Sequence, residues 1–255
     1  MLLAIDAGNT NIVIGMHDGN GWINHWRIRT VPDQMPDEYG LLLKGLLRDE
    51  NFAPSDIRQI VISSVVPQLT GKLKEMAVRL TGNDPVIVGP GIKTGLKINT
   101  SNPSEVGTDL VCNAVAAYNR FKRPCIIIDF GTALTFTAVD GKGELLGVSI
   151  APGLQAAAGA LSAATAQLPQ VWLEPPKTAI GKNTIHSIQS GILFGYAGLV
   201  EKVVDMMKAE MGGEATVIGT GGRVDTITPL TDRITVVEPW LILEGLRIIG
   251  DLNRK

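Results

Sequence analysis

The chain has 255 residues, 45% of them hydrophobic and only 5% aromatic, so its core must be built from Ile, Val, Leu and Ala, the material of buried parallel strands covered by helices. Lys and Arg number 23 against 25 Asp and Glu, and no basic stripe of the kind that neutralises phosphates appears, which argues against nucleic acid as the main partner. No apolar run reaches the roughly 18 residues of a membrane span, and Met1 to Asp6 runs into a strand pattern with no basic leader, so a cytoplasmic protein without membrane contact is expected.

Residues 2–6 form a short apolar run that ends at an acid and a glycine turn. A second strand fits 11–18, a turn 19–21, and an alternating third strand 22–30. Leucine spacing predicts a helix over 37–47, followed by a buried strand at 59–65, a helix at 68–80 and a short strand at 85–88. The pattern then starts again. Ile126 to Thr132 repeats the strand, acid, glycine and threonine of Leu3 to Thr10. Strands follow at 134–139 and 144–150, joined by a turn at 140–143. Helices are expected at 154–165 and 184–211, a strand at 215–219, a helix after Gly222, a strand at 233–237 and a last helix from Pro239. The expected fold is α/β and duplicated, in halves 1–115 and 116–255. Each half holds a mixed sheet flanked by helices, with an antiparallel hairpin at one edge.

Asp6-Ala7-Gly8-Asn9-Thr10-Asn11 occupies the first hairpin turn. Glycine lets a backbone approach a phosphate, Asn and Thr add donors, and the acid suits a Mg²⁺-water ligand. An ordinary hairpin, with Asn and Gly chosen for their turn conformations, explains the loop alone as well. Asp129-Phe130-Gly131-Thr132-Ala133 is a second loop of the same kind, and a duplicated chain with two such loops facing across a cleft could clamp a polyphosphate. Gly219-Thr220-Gly221-Gly222 sits between a strand and a helix and is neither a Walker A sequence nor a spaced dinucleotide fingerprint. Thr108 or Asp109, taken alone, reads as a helix cap. His17, His25 and His186 show no zinc spacing. Cys112 and Cys125 read as small buried hydrophobes suited to a reducing compartment, and Trp172 and Trp240 as packing residues.

Taken together these blocks resemble a type III pantothenate kinase of the actin/hexokinase/sugar-kinase superfamily, over nearly the whole chain. The resemblance runs through Asp6 to Asn11, Asp37 to Gly40, Ser63 to Pro67, Asn102-Pro103, Glu105 to Asp109, Asp129 to Ala133, Ala151 to Gly153, Gly181 to Thr184 and Thr220 to Gly222. It implies an actin-like, ribonuclease H-like fold with ATP in an interdomain cleft. It further implies transfer of the γ-phosphoryl group to the primary hydroxyl of pantothenate, the first step toward coenzyme A. Asp109 then matches the general base, overriding the capping reading. Asp6, Ala7, Gly8, Asn9, Thr10, Asn11, Ile12, Val13 and Thr132 match ATP contacts, with Gly221 and Gly222 beside them. Asp129 matches the ligand of a monovalent cation (K⁺ or NH₄⁺), and Asp6 a water-mediated Mg²⁺ ligand. Thr100, Gly107, Thr108, Asp109, Leu110 and Thr184 match the acceptor site, and a homodimer is implied.

Two positions depart from that pattern. Where the family usually shows Gly-Ala-Asp-Arg this chain has Gly107-Thr108-Asp109-Leu110, and Thr100 stands where a tyrosine is common. Both changes fall on the acceptor side, so a divergent kinase for another hydroxyl substrate is the alternative within enzymes. A non-catalytic regulatory relative is the alternative outside them. Gly191, Gly195 and Gly198 bare one face of the helix after Thr184, which suits close packing either inside the subunit or across a dimer.

Overall fold

The computed structural model describes residues 1–254. The chain forms β1 (Leu2–Ala7), β2 (Asn11–His17), β3 (Trp22–Arg29), α1 (Pro36–Asp49), β4 (Gln59–Ser64), α2 (Pro67–Thr81), β5 (Val86–Ile87), β6 (Lys97–Ile98) and α3 (Thr108–Phe121). It continues through β7 (Cys125–Phe130), β8 (Ala133–Val139), β9 (Glu144–Pro152), α4 (Leu154–Ala164), α5 (Thr184–Glu210), β10 (Thr216–Thr220), α6 (Val224–Ile227), β11 (Val236–Val237) and α7 (Leu241–Leu252).

The repeat seen in the sequence is a repeat of topology. The first sheet has the order β3-β2-β1-β4-β5, and the second β11-β10-β7-β8-β9-β6. Apart from the added edge strand β6, these are one plan used twice. In each, an antiparallel hairpin and third strand precede a parallel crossover back to the first strand. The second and third strands even lose register at equivalent points, Met16/His17 and Ala138/Val139.

Two contact-defined units contain these sheets. One comprises residues 1–96, 101–116 and 242–255, the other 97–100 and 117–241. The passage at Ala116/Ala117 lies next to the repeat boundary at 115/116, but α7 returns to the first unit, away from the half that precedes it in sequence. Glycines make that return possible. A Cβ on Gly245 would run into the Cys112 carbonyl of α3, and one on Gly250 would lie 2.6 Å from Val61 of β4. A Cβ on Gly15 of β2 would lie 2.7 Å from Leu243. Only bare backbone lets α7 seat this closely.

In the first unit Leu3, Ile5, Ile12, Ile14, Met16 and Ile62 meet Leu43, Leu47, Leu69 and Leu73 of α1 and α2 in one buried cluster. Proline begins both helices, where its missing amide costs nothing, and Gly82 ends α2 at φ +76°. In the second unit Ile126, Ile128, Leu134 and Phe136 pack against Leu154, Leu193, Val200 and Val204 of α4 and α5. Asn183 starts α5, its Oδ1 accepting from the His186 amide at 2.9 Å.

Two expectations need correction. The helix after Gly222 is one turn, α6, followed by a 3₁₀ turn at Thr228–Leu230, because Pro229 lacks the amide a longer helix would use there. Trp172 is no packing residue: its side chain is 77% exposed, and only its backbone carbonyl is held, by Gln189 Nε2 at 2.8 Å. It lies in a stretch without regular structure between α4 and α5, where Pro169, Pro175 and Pro176 remove ladder donors. No helix among the described residues is long and apolar enough to cross a membrane.

Candidate active site

In the first unit the hairpin loop after β1 is held from below. Gly8 donates its amide to the Asn11 carbonyl at 3.0 Å, and the buried Thr30 hydroxyl donates to the Gly8 carbonyl at 2.6 Å. The Thr30 amide reaches the Thr10 carbonyl at 3.0 Å. Asn9, Thr10 and Asn11 are left exposed at the tip, while Ala7 and Ile12 are buried beneath it and Val13 is half-buried. The loop is therefore a held backbone platform whose exposed residues, Asn9, Thr10 and Asn11, are of types that can donate to a phosphate. Thr30 is an anchor that the sequence did not mark.

Asp6, the last acid before this loop, is buried on the face of β1 turned away from α1 and α2. Ser63 of β4 lies beside it in the parallel ladder. The N-terminus of α3 meets this same spot. Ser63 Oγ is 2.9 Å from Thr108 Oγ1. Asp109 Oδ1 accepts the Leu110 amide at 2.8 Å, so the carboxylate folds back over the start of its own helix. Gly107 leaves the space for it: a Cβ there would stand 2.5 Å from Asp109 Oδ1.

The electrostatics follow from burial. Desolvation pushes the Asp109 carboxyl above its ordinary value, and the amide hydrogen bonds pull it only part of the way back. Cys112, one turn further along α3, is fully buried, and its thiol is held well above its usual range by that burial and then by the charges of Asp6 and Asp109. Asp6, Ser63 and Cys112, all buried, thus form one polar group in the first unit with the half-buried Thr108 and Asp109. Cys112 in it is a protonated spacer and no nucleophile. The other thiol, Cys125, is pushed up to about 11 by burial.

In the second unit Asp129 is the penultimate residue of β7, before a loop that neighbouring glycines enclose. A Cβ on Gly221, itself at φ +91°, would collide with Asp129 Oδ1 and lie 2.7 Å from the Phe130 amide. The Gly153 amide donates to the Thr132 carbonyl at 3.1 Å, and a Cβ on Gly153 would strike that carbonyl and the Gly131 carbonyl. Tyr196 of α5 fixes the end of β9 by donating to the Pro152 carbonyl at 2.7 Å. The structure therefore brings Asp129, Gly131, Thr132 and Gly221 together, with Gly222 exposed beside them. Among the described residues no group of three or more His, Cys, Asp or Glu could hold a metal ion alone. Hard cations nonetheless suit the oxygens present: a carboxylate in a notch that only glycine leaves open at Asp129, and a buried carboxylate below a phosphate-type loop at Asp6.

Comparison with known proteins bears on the activity of the chain as a whole. The profile of the type III pantothenate kinases matches residues 2–206. A type III pantothenate kinase from Moorella thermoacetica is 47% identical over 253 residues, 99% of this chain and 100% of its own length.

The chain belongs to the type III pantothenate kinase family.

Members phosphorylate pantothenate in coenzyme A biosynthesis, and this chain is a kinase of that kind. The fold agrees at much greater distance. An activator of the 2-hydroxyisocaproyl-CoA dehydratase from Clostridium difficile, with bound ADPNP, superposes with a TM-score of 0.57 at 13% identity, covering 98% of this chain and 95% of that one. An inorganic polyphosphate/ATP-glucomannokinase from Arthrobacter gives 0.51 at 16% identity over 99% of both chains. These likenesses establish the actin-like, sugar-kinase architecture.

The remaining positions expected from the sequence lie as follows. Thr100, next to β6, is half-buried with a hydroxyl that meets no hydrogen-bond partner in the chain. Leu110 is buried on α3. Thr184 is exposed at the first turn of α5. Lys97, three residues before Thr100, pairs with Glu144 at 2.8 Å.

Proposed function

We propose that in the phosphorylation of pantothenate Asp109 is the general base, acting on the primary hydroxyl of the acceptor as the γ-phosphoryl group of ATP is transferred. The observation that carries this reading is the Asp109 carboxylate itself, tied at one oxygen to the Leu110 amide and raised above its ordinary value by burial. A carboxylate raised in this way accepts a proton more readily than a solvated one. The O–H bond of pantothenate breaks toward Asp109, the new O–P bond forms, and ADP leaves with the electrons of the broken phosphoanhydride bond.

The donor side uses residues 6–13, Thr132, Gly221 and Gly222 as ATP contacts. Support comes from the locked loop at Gly8 to Asn11 and from the packing of Gly221 and Gly153 about the Asp129 loop. Asp6 would hold Mg²⁺ through water, and Asp129 a monovalent cation, K⁺ or NH₄⁺. Together these ions supply positive charge against the phosphates when bound. The acceptor side draws on Thr100, Thr184, Gly107, Asp109 and Leu110, and on the backbone of Thr108. The unpartnered Thr100 hydroxyl supports a polar ligand there, since a buried hydroxyl normally finds a partner.

We also propose a homodimer with α5 at its interface. Gly191, Gly195 and Gly198 are exposed, and a Cβ on any of them would meet nothing within 4 Å. Packing inside the subunit therefore does not account for that bare face. The two unpaired thiols suit a cytoplasmic location.

The test is ATP-dependent phosphorylation of a panel of pantoyl compounds, read by mass spectrometry. Pantothenate should be the best acceptor. Preference for another hydroxyl compound would make this a divergent kinase, and no transfer to any acceptor would make it a regulatory relative.

A further inference from the structure

Ser63 is a polar residue with no exposed surface in a strand whose neighbours are Ile60, Val61 and Ile62. A hydroxyl in such a place must be satisfied, and the hydroxyl of Thr108 lies 2.9 Å from it. That contact joins the end of β4 to the first residue of α3. The next residue along α3 is Asp109. The thiol of Cys112, one turn later, faces the same Ser63 hydroxyl. The helix start is thereby tied to the strand immediately before the acid. Beyond the tie the carboxylate has little freedom, with the Leu110 amide on one oxygen and Gly107 close against it.

We propose that Ser63 and Thr108 form a hydroxyl clasp between β4 and α3 that sets the position of the Asp109 carboxylate. Both are positioning residues, and the Thr108 side chain serves this clasp and not the acceptor. The proposal rests on the assignment of Asp109 as base. Because bound geometry in a proton transfer is steep in its effect, a displacement of the helix start by a fraction of an ångström to 1 Å costs up to about 100-fold in turnover.

The experiment compares Ser63→Ala, Thr108→Val, the double variant and Thr108→Ser. Thr108→Val keeps the shape and removes the hydroxyl, and Thr108→Ser keeps the hydroxyl. Each hydroxyl-less single variant should lower kcat by roughly tenfold to 100-fold with KM for pantothenate within about twofold of wild type. The double variant should be no worse than the poorer single one, since either change opens the clasp. Thr108→Ser should stay near wild type. The acid limb of the pH profile of kcat should move in both hydroxyl-less single variants. Independently of turnover, the Leu110 amide resonance, which reports the hydrogen bond to Asp109, should shift in Ser63→Ala and Thr108→Val and stay in place in Thr108→Ser. A raised KM at unchanged kcat in Thr108→Val would make that hydroxyl an acceptor contact and overturn the clasp. So would a loss of thermal stability with kcat, pH limb and the Leu110 resonance all unmoved. An inactive wild type with a Leu110 resonance that responds as described would overturn the functional reading and leave the clasp standing.

Discussion

Gly221→Ala puts the packing around Asp129 to a quantitative test. Gly221 sits at φ +91°, in the left-handed region, where an L-residue loses about 1–2 kcal/mol. The added Cβ would also press on Asp129 Oδ1 and stand 2.7 Å and 2.8 Å from the Phe130 amide nitrogen and carbonyl carbon. Those last two are backbone atoms of a central strand and cannot swing aside, so overpacking adds about 1–3 kcal/mol. The total is about 2–5 kcal/mol, or roughly 4–20 °C in Tm at about 2–4 °C per kcal/mol for a protein of this size. Gly82→Ala supplies the control, because Gly82 has φ +76° with nothing within 4 Å of a Cβ, and so carries the backbone cost alone. Thermal and urea unfolding of both variants should place Gly221→Ala clearly below Gly82→Ala. Equal midpoints would refute the claim that Gly221 is pressed against Asp129 and Phe130.

Stability should respond to Asp109 in the opposite sense. Its folded carboxyl is raised above the unfolded value, so the folded form binds that proton more tightly and loses stability as pH climbs from the unfolded value through the folded one. Asp109→Asn should therefore raise Tm at pH 7, an effect that fades toward pH 3; a lower Tm at pH 7 would contradict it. Activity should rise with K⁺ or NH₄⁺ and not with Na⁺ if Asp129 holds a monovalent cation; equal rates in the three salts at matched ionic strength would remove that role. If the pantothenate carboxylate lies beside residue 110 and no other cation reaches it, Leu110 offers it no donor, which should lower affinity by about 1.5–3 kcal/mol, or roughly tenfold to 100-fold in KM. Leu110→Arg should then lower KM, and a wild type that already binds tightly and is worsened by this change would place the carboxylate elsewhere.

Much of this molecule was readable before its fold was described, for a definite reason. Residues 2–6 and 126–130 are apolar runs that end in an acid and a glycine, and a buried strand with a functional turn at its end needs little more. Both appeared where expected, as did the hairpins behind them and the long helix at Thr184–Glu210. What escaped was set by distant contacts. β6 is two residues long and exists because Lys97 and Ile98 find β9, which no periodicity encodes. α7 returns to the first unit because Gly15, Gly245 and Gly250 allow it, and glycine in sequence does not say what it lies against. Trp172 looked like core by residue type, yet the proline-rich stretch that carries it leaves the ring in solvent. In the site, Gly107-Thr108-Asp109 could be read as a cap, and a hydrogen bond from the Leu110 amide to Asp109 does exist. Ser63 and Thr30 gave no signal as single residues, because a hydroxyl acquires its meaning from the atom it meets.

The most direct test of the account is the turnover of Asp109→Asn on ATP and pantothenate, with nucleotide affinity measured alongside by calorimetry. The side chain keeps its shape and its oxygen toward the Leu110 amide but can no longer take the hydroxyl proton. The account predicts a fall in kcat of about 100-fold or more with ATP affinity unchanged, the range of lost general-base catalysis. A variant that turns over pantothenate at nearly the wild-type rate would contradict it and reduce Asp109 to the first turn of a helix.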